Sequence, residues 1–176
     1  MSQVSTTTSS PRRRVAMTWV VWITAVIAYG FAVMQRTSLG VMGLTAAAHF
    51  NAPASVVATF MVLQLAVYAV LQIPAGITVD RLGSRVVITA GSIVMTVGQV
   101  VMALTGSVGG AVLARVLVGC GDAFIFGAAI RLVPAWFPPK QTPLVTQLIG
   151  LLGQFGQVVS AVGLVAMVNS LSLIHI

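Results

Sequence analysis

Long apolar runs, separated by short polar or glycine- and proline-rich connections, fill most of this chain. A helical run of about twenty apolar residues, rising 1.5 Å per residue, crosses about 30 Å of hydrocarbon. The pattern predicts five membrane-spanning helices, at about 15–39, 54–79, 86–104, 111–130 and 144–168. We therefore expect an all-α, polytopic membrane protein.

Composition agrees with the pattern and excludes a soluble domain. The 176 residues are 58% hydrophobic and only 6% charged, and their mean hydropathy is +1.05. A water-soluble surface normally needs about a quarter of all residues to be charged. The net charge of +7 would suggest nucleic acid in a soluble protein, but here we expect a lipid bilayer, and no nucleic acid, as the partner.

The positions of the cations predict how the chain crosses the bilayer. Seven of the nine lie in the N-terminal segment and in the second and fourth connections: Arg12, Arg13, Arg14, Arg81, Arg85, Arg131 and Lys140. Because cytoplasmic connections are rich in Lys and Arg, these three regions are expected in the cytoplasm. The predicted location is a plasma membrane, of the bacterial inner-membrane type.

The two ends of the chain are read separately from the spans. Residues 1–14 are expected to form a disordered cytoplasmic tail, and 169–176 are a doubtful terminus of a fragment. Arginines before an apolar run could also open a twin-arginine export signal, cleaved after 46–48. The length of the run and the presence of Arg36 within it favour a retained span.

The second connection concentrates charge and glycine in the ten residues GITVDRLGSR, from Gly76 to Arg85. Gly76 permits close approach of another backbone, and Gly83 permits a turn conformation that a side chain would hinder. Asp80 can accept charge-assisted hydrogen bonds from Arg81 or Arg85, or lie against the N-terminus of another helix. A connection that served topology alone would need none of these features.

This segment resembles the signature of the major facilitator superfamily between its second and third helices. The matching residues are Gly76, Asp80, Arg81, Gly83 and Arg85. The sequence ARVLVGCG at 114–121 is similar to the fourth-helix pattern of that family, and WFPP at 136–139 is similar to the connection that follows. The resemblance implies a gating role for the first motif. It also implies that 15–168 supplies five helices of an N-terminal six-helix bundle, whose partner is a missing C-terminal half.

Arg36 is a candidate for substrate binding because a cation inside a span needs a partner or water. Tyr29 lies seven residues earlier, on nearly the same face of the helix, and joins it as a candidate. Arginines in this region of organic-anion members of the family contact anionic substrates, so the resemblance implies the same role for Arg36. The alternative is that Arg36 extends to the outer headgroups.

Arg115 and Asp122 also lie seven residues apart, on one face of the fourth span. They are too far apart, at about 10.5 Å along the axis, for a direct bridge, so each is expected to reach another helix, water or a substrate. Arg115 is a substrate-binding candidate. Asp122 is a candidate for proton coupling, with a structural hydrogen-bonding role as the alternative.

Glutamines on the fifth span give two further substrate-binding candidates, Gln147 and Gln154. Their seven-residue spacing indicates either a water-filled cavity or hydrogen bonds between helices. A second polar stripe, Gln64, Tyr68 and Gln72, follows one face of the second span.

The resemblance implies a secondary active transporter of a small solute that works by alternating access, and the solute is anionic if Arg36 contacts it. The alternatives are a drug or metabolite efflux antiporter of the same superfamily and a non-transporting membrane scaffold. The chain has only two acids and two histidines, so we expect no enzyme activity, no metal and no cofactor.

Overall fold

The computed structural model describes the backbone of residues 11–41 and 43–174, and side-chain surroundings from residue 15 to 166 except at 42, 44, 45, 49, 54 and 164. This part of the chain forms six helices and no strand: α1 Pro11–Val41, α2 Gly43–His49, α3 Ala54–Leu82, α4 Ser84–Leu104, α5 Val108–Trp136 and α6 Thr142–Ile174. All but α2 contain a segment long and apolar enough to span a membrane. The prediction of an all-α polytopic protein with five spans is confirmed.

Several helix ends differ from the prediction. The segment Pro11–Arg14, expected in a disordered tail, forms the start of α1, because proline suits the first turn of a helix. Residues 1–10 of that predicted tail lie outside the described residues. Helix α5 continues through Pro134 to Trp136, where a connection was predicted, since a proline so near the C-terminal end frees only one carbonyl. The short α2 was not predicted.

Helix α5 lies at the centre of the bundle and packs against each of the other four spans. Its buried residues run from Ala111 to Val133. Small residues make the closest packing possible, as they do in many membrane helix pairs. A Cβ added to Gly91 or Gly98 of α4 would come within 3.0 Å of the carbonyl oxygen of Gly121 or Ala114 of α5.

Hydrogen bonds between helices define which of them run in the same direction. Gln64 bonds Arg115 and Asp80 bonds Arg131, and in both pairs the residues are 51 positions apart. A constant separation means that α3 and α5 run parallel, in register over 16 residues, or about 24 Å. Helices α1 and α6 are also parallel, because Ser160 donates to the carbonyl of Met34 and Gly156 packs on Gly30.

The α3–α4 connection consists of one residue, Gly83, whose φ is +81°. This backbone conformation favours glycine, as the sequence predicted. The connection lies at the same end of the bundle as the start of α1 and the α5–α6 connection. We call this the basic end, since it carries Arg81, Arg85, Arg131 and Lys140 among the residues whose side chains are described, beside the arginines at the start of α1.

Candidate functional site

An ion pair joins α1 to α5 at the middle of the bundle. Arg36 donates from Nη1 to Oδ2 of Asp122 over 3.0 Å. Asp122 lies midway between the two ends of α5, about 21 Å along the axis from either end. The side chain of Asp122 is fully buried, and that of Arg36 is 20% exposed. The exposed part of the pair therefore belongs to the arginine.

The direction of the Arg36 side chain follows from helix geometry. Arg36 lies five residues before the end of α1 at Val41, about 7.5 Å along the axis from the nearer end of the helix. Side chains on a helix lean toward its N-terminus, which in α1 directs Arg36 back into the span. In this structure Arg36 contacts Asp122 there.

A cluster of three aromatic rings lies beside this ion pair. The guanidinium carbon of Arg36 lies 5.4 Å from the centre of the Tyr68 ring, within the range of a cation–π interaction. The ring of Phe126 lies 5.2 Å from that of Tyr29 and 6.2 Å from that of Tyr68. Tyr68 was not among the predicted site residues, although its place on the polar stripe of α3 was a signal that could have found it.

Arg115 lies apart from the central pair, as its spacing from Asp122 predicted. It donates from Nη1 to Oε1 of Gln64 on α3, over 3.3 Å. Both side chains belong to residues that are only 2% exposed. Gly119 permits this contact between helices, because a Cβ there would lie 2.7 Å from the backbone oxygen of Gln64. Arg115 is therefore enclosed between α3 and α5.

The structure does not bring the α6 glutamines to the ion pair. The face of α6 that packs on the bundle includes Val145, Ile149 and Ser160. Gln147 and Gln154 are exposed and lie on the opposite face. Both glutamines therefore face away from the other helices of the bundle.

At the basic end, Asp80 accepts a hydrogen bond from Nη1 of Arg131 on α5. The donor is thus Arg131, and neither Arg81 nor Arg85, which the sequence offered beside a helix N-terminus as possible partners of Asp80. Adjacent residues on a helix project about 100° apart, whereas Arg131 lies in register on the parallel helix. Gly76 makes room for it, since a Cβ there would come within 3.3 Å of Arg131 Nη2.

A pocket of about 1010 Å³ opens at the basic end, between α1, the α3–α4 connection and the end of α5. Its lining combines apolar side chains with Asp80, Arg85 and Arg131, and it includes neither Arg36 nor Asp122. The charged turn and the central ion pair are thus two separate features of the bundle.

Five apolar spans around a buried ion pair, with a charged glycine turn at one end, define a polytopic membrane protein of the transporter class. A family model described as Major Facilitator Superfamily matches residues 21–173. The chain belongs to this family, whose members are membrane transporters and not enzymes. No curated protein and no solved structure matches the chain.

Proposed function

We propose that this chain forms part of a secondary active transporter that moves a small anionic solute together with a proton, by alternating access. The observation that carries the proposal is the Arg36–Asp122 ion pair, buried midway along the spans. Charged side chains at that depth are costly, and they commonly mark substrate or proton pathways. Arg36 is the proposed contact for the anion and Asp122 the proposed site of the proton.

Coupling between the two ligands follows from the cost of separating the pair. Removing one partner of a buried ion pair leaves an uncompensated charge, at a cost of about 3–5 kcal/mol. If only a proton binds to Asp122, the charge of Arg36 is left uncompensated. If only an anion binds to Arg36, the charge of the Asp122 carboxylate is left uncompensated. When both bind, each charge is again balanced. Each ligand should therefore raise the binding constant of the other by a factor of about 10² to 10⁴.

The residues around the pair have supporting roles in this proposal. Tyr29 and Tyr68 flank the guanidinium of Arg36 and border the anion. Gln147 and Gln154, which are exposed on α6, contribute hydrogen bonds to the solute once a second half of the transporter covers that face. Arg115, enclosed and 2% exposed, has no surface for solute contact in this conformation.

The motif at the basic end is proposed as a gate element on the cytoplasmic side. Gly83 fixes the tight turn, Gly76 admits Arg131, and Asp80 is held against α5. The exposed Arg81 and Arg85 are free to engage the opposite half. The cytoplasmic orientation, with the N-terminus inside a plasma membrane, rests on the concentration of cations at this end.

Uptake by the full-length transporter in proteoliposomes tests the proposal. A panel of organic anions is added in the presence of an imposed pH gradient, and a pH dye inside the vesicles follows protons. We expect at least one anion to enter with protons, at a rate that rises with the gradient. Anion entry at the same rate with and without the pH gradient would exclude proton coupling. A complete lack of anion flux would favour a non-transporting membrane scaffold.

A further inference from the structure

Arg115 carries a positive charge that no acid of this chain compensates. The chain has only two acidic residues, Asp80 and Asp122. Asp80 is paired with Arg131 and Asp122 with Arg36. Arg115 bonds the neutral amide of Gln64 instead. A buried arginine with only a neutral partner is an unusual arrangement within a membrane span.

Two hydrogen-bond donors at this place also lack partners. The Nε of Arg115 and the Nε2 of Gln64 are both buried, and neither has an acceptor within the described part of the chain. Their residues are linked by the bond from Arg115 Nη1 to Gln64 Oε1, so the donors belong to one cluster. Buried donors without acceptors are costly, and a bound water or ion is one way to satisfy them.

The chemistry of the cluster selects the ligand that fits it. One cation and two unused N–H donors require an acceptor, and the uncompensated charge requires that the acceptor be negative. Arg115 and Gln64 are each 2% exposed, so the ligand must be small enough to be enclosed between α3 and α5. A water molecule would satisfy donors but would leave the charge of Arg115 uncompensated.

We propose that Arg115 and Gln64 bind a small inorganic anion of the halide type, enclosed between α3 and α5. This anion is a structural ligand and is distinct from the solute proposed for Arg36. It neutralises Arg115 and links the two parallel helices near the end of the bundle opposite the basic end. Bundle stability then depends on which anion is present, independently of transport.

Thermal unfolding of the purified full-length protein tests the proposal, with chloride as the probe. Sodium chloride replaces sodium gluconate at constant ionic strength, so that charge screening is unchanged and only the identity of the anion differs, gluconate being too large to be enclosed between the helices. A ligand that binds only the folded state raises Tm with its concentration. We expect Tm to rise with chloride in the wild type. An equal Tm in chloride and gluconate would overturn the proposal.

Three variants localise the effect. Arg115→Met should abolish the chloride response, and Gln64→Leu, which keeps the cation, should weaken the apparent affinity for chloride at least tenfold. Gln72→Leu is the matched control, because Gln72 Nε2 is also buried without a partner, two turns further along α3, and it should respond as the wild type does. If Arg115→Met does not fold, the dependence of Tm on chloride in Gln64→Leu tests the proposal. An unchanged response in Gln64→Leu, or one reduced equally in Gln72→Leu, would contradict the assignment.

Discussion

The carboxylate of Asp80 accepts a hydrogen bond from Arg131, a residue 51 positions later in the chain, on the parallel helix α5. Gln64 and Arg115 repeat the same separation nearer the other end of these two helices. The two bonds fix the register of α3 against α5. The turn that carries the family motif is therefore attached to the helix that carries Asp122.

The first prediction concerns this attachment. Both side chains are about half exposed, so breaking the pair should cost no more than about 1 kcal/mol of stability. Asp80→Ala should nevertheless impair transport while leaving membrane insertion intact, because the gate loses its anchor on α5. Arg131→Gln should have the same effect, and the double variant should be no worse than either. Uptake kinetics unaltered in Asp80→Ala would contradict this role.

The second prediction concerns Arg36. Arg36→Gln leaves the Asp122 carboxylate buried without its cation, at a cost of about 3–5 kcal/mol. Combining it with Asp122→Asn should recover most of that loss, since no buried charge then remains. Thermal unfolding of the wild type, the two single variants and the double variant measures this loss of stability and its recovery. For transport, Arg36→Lys keeps the charge and loses the planar fork, so equal uptake by Arg36→Lys and Arg36→Gln would remove the proposed contact with substrate.

The third prediction concerns Tyr68, whose ring lies 5.4 Å from the Arg36 guanidinium carbon. Tyr68→Phe keeps the aromatic face and should change the apparent affinity for solute by less than about a factor of two. Tyr68→Leu removes an interaction of about 0.5–2 kcal/mol. Its apparent KM should rise by a factor of about two to thirty, with insertion unchanged. A larger loss in the phenylalanine variant would assign the role to the hydroxyl group and not to the ring.

The fourth prediction concerns packing of α4 on α5. A Cβ at Gly121 would collide with the carbonyl oxygen of Gly91 and the side chain of Met95. Since a backbone oxygen cannot move away cheaply, Gly121→Ala should destabilise the protein by about 1–3 kcal/mol. Gly127→Ala is the control, because a Cβ there would make an ordinary contact of 3.6 Å with Ala75. Similar thermal stability of the two variants would show that α4 can shift.

Much of this fold was predictable, because membrane spans require long apolar runs. The five spans and the turn at Gly83 follow from local sequence alone. Periodicity also placed Arg115 and Asp122 on one face of a helix. It could not show which residues of other helices meet that face.

The partners were therefore found only in the structure. Asp122 pairs with Arg36 because α1 packs on α5, and Asp80 pairs with Arg131 because α3 runs in register with α5. Neither pairing can be predicted from the spacing of residues within one helix. For Tyr68, the polar stripe on α3 was a signal in the sequence, but only the structure shows that Arg36 lies over its ring.

The most direct test of the central claim is uptake by Asp122→Asn in proteoliposomes, compared with the wild type. The variant keeps the shape of the side chain but cannot gain or lose a proton. We predict that an inward proton gradient no longer accelerates net uptake of the anion, while exchange of labelled for unlabelled anion across the membrane continues. Net uptake driven by the gradient at the wild-type rate would contradict the account.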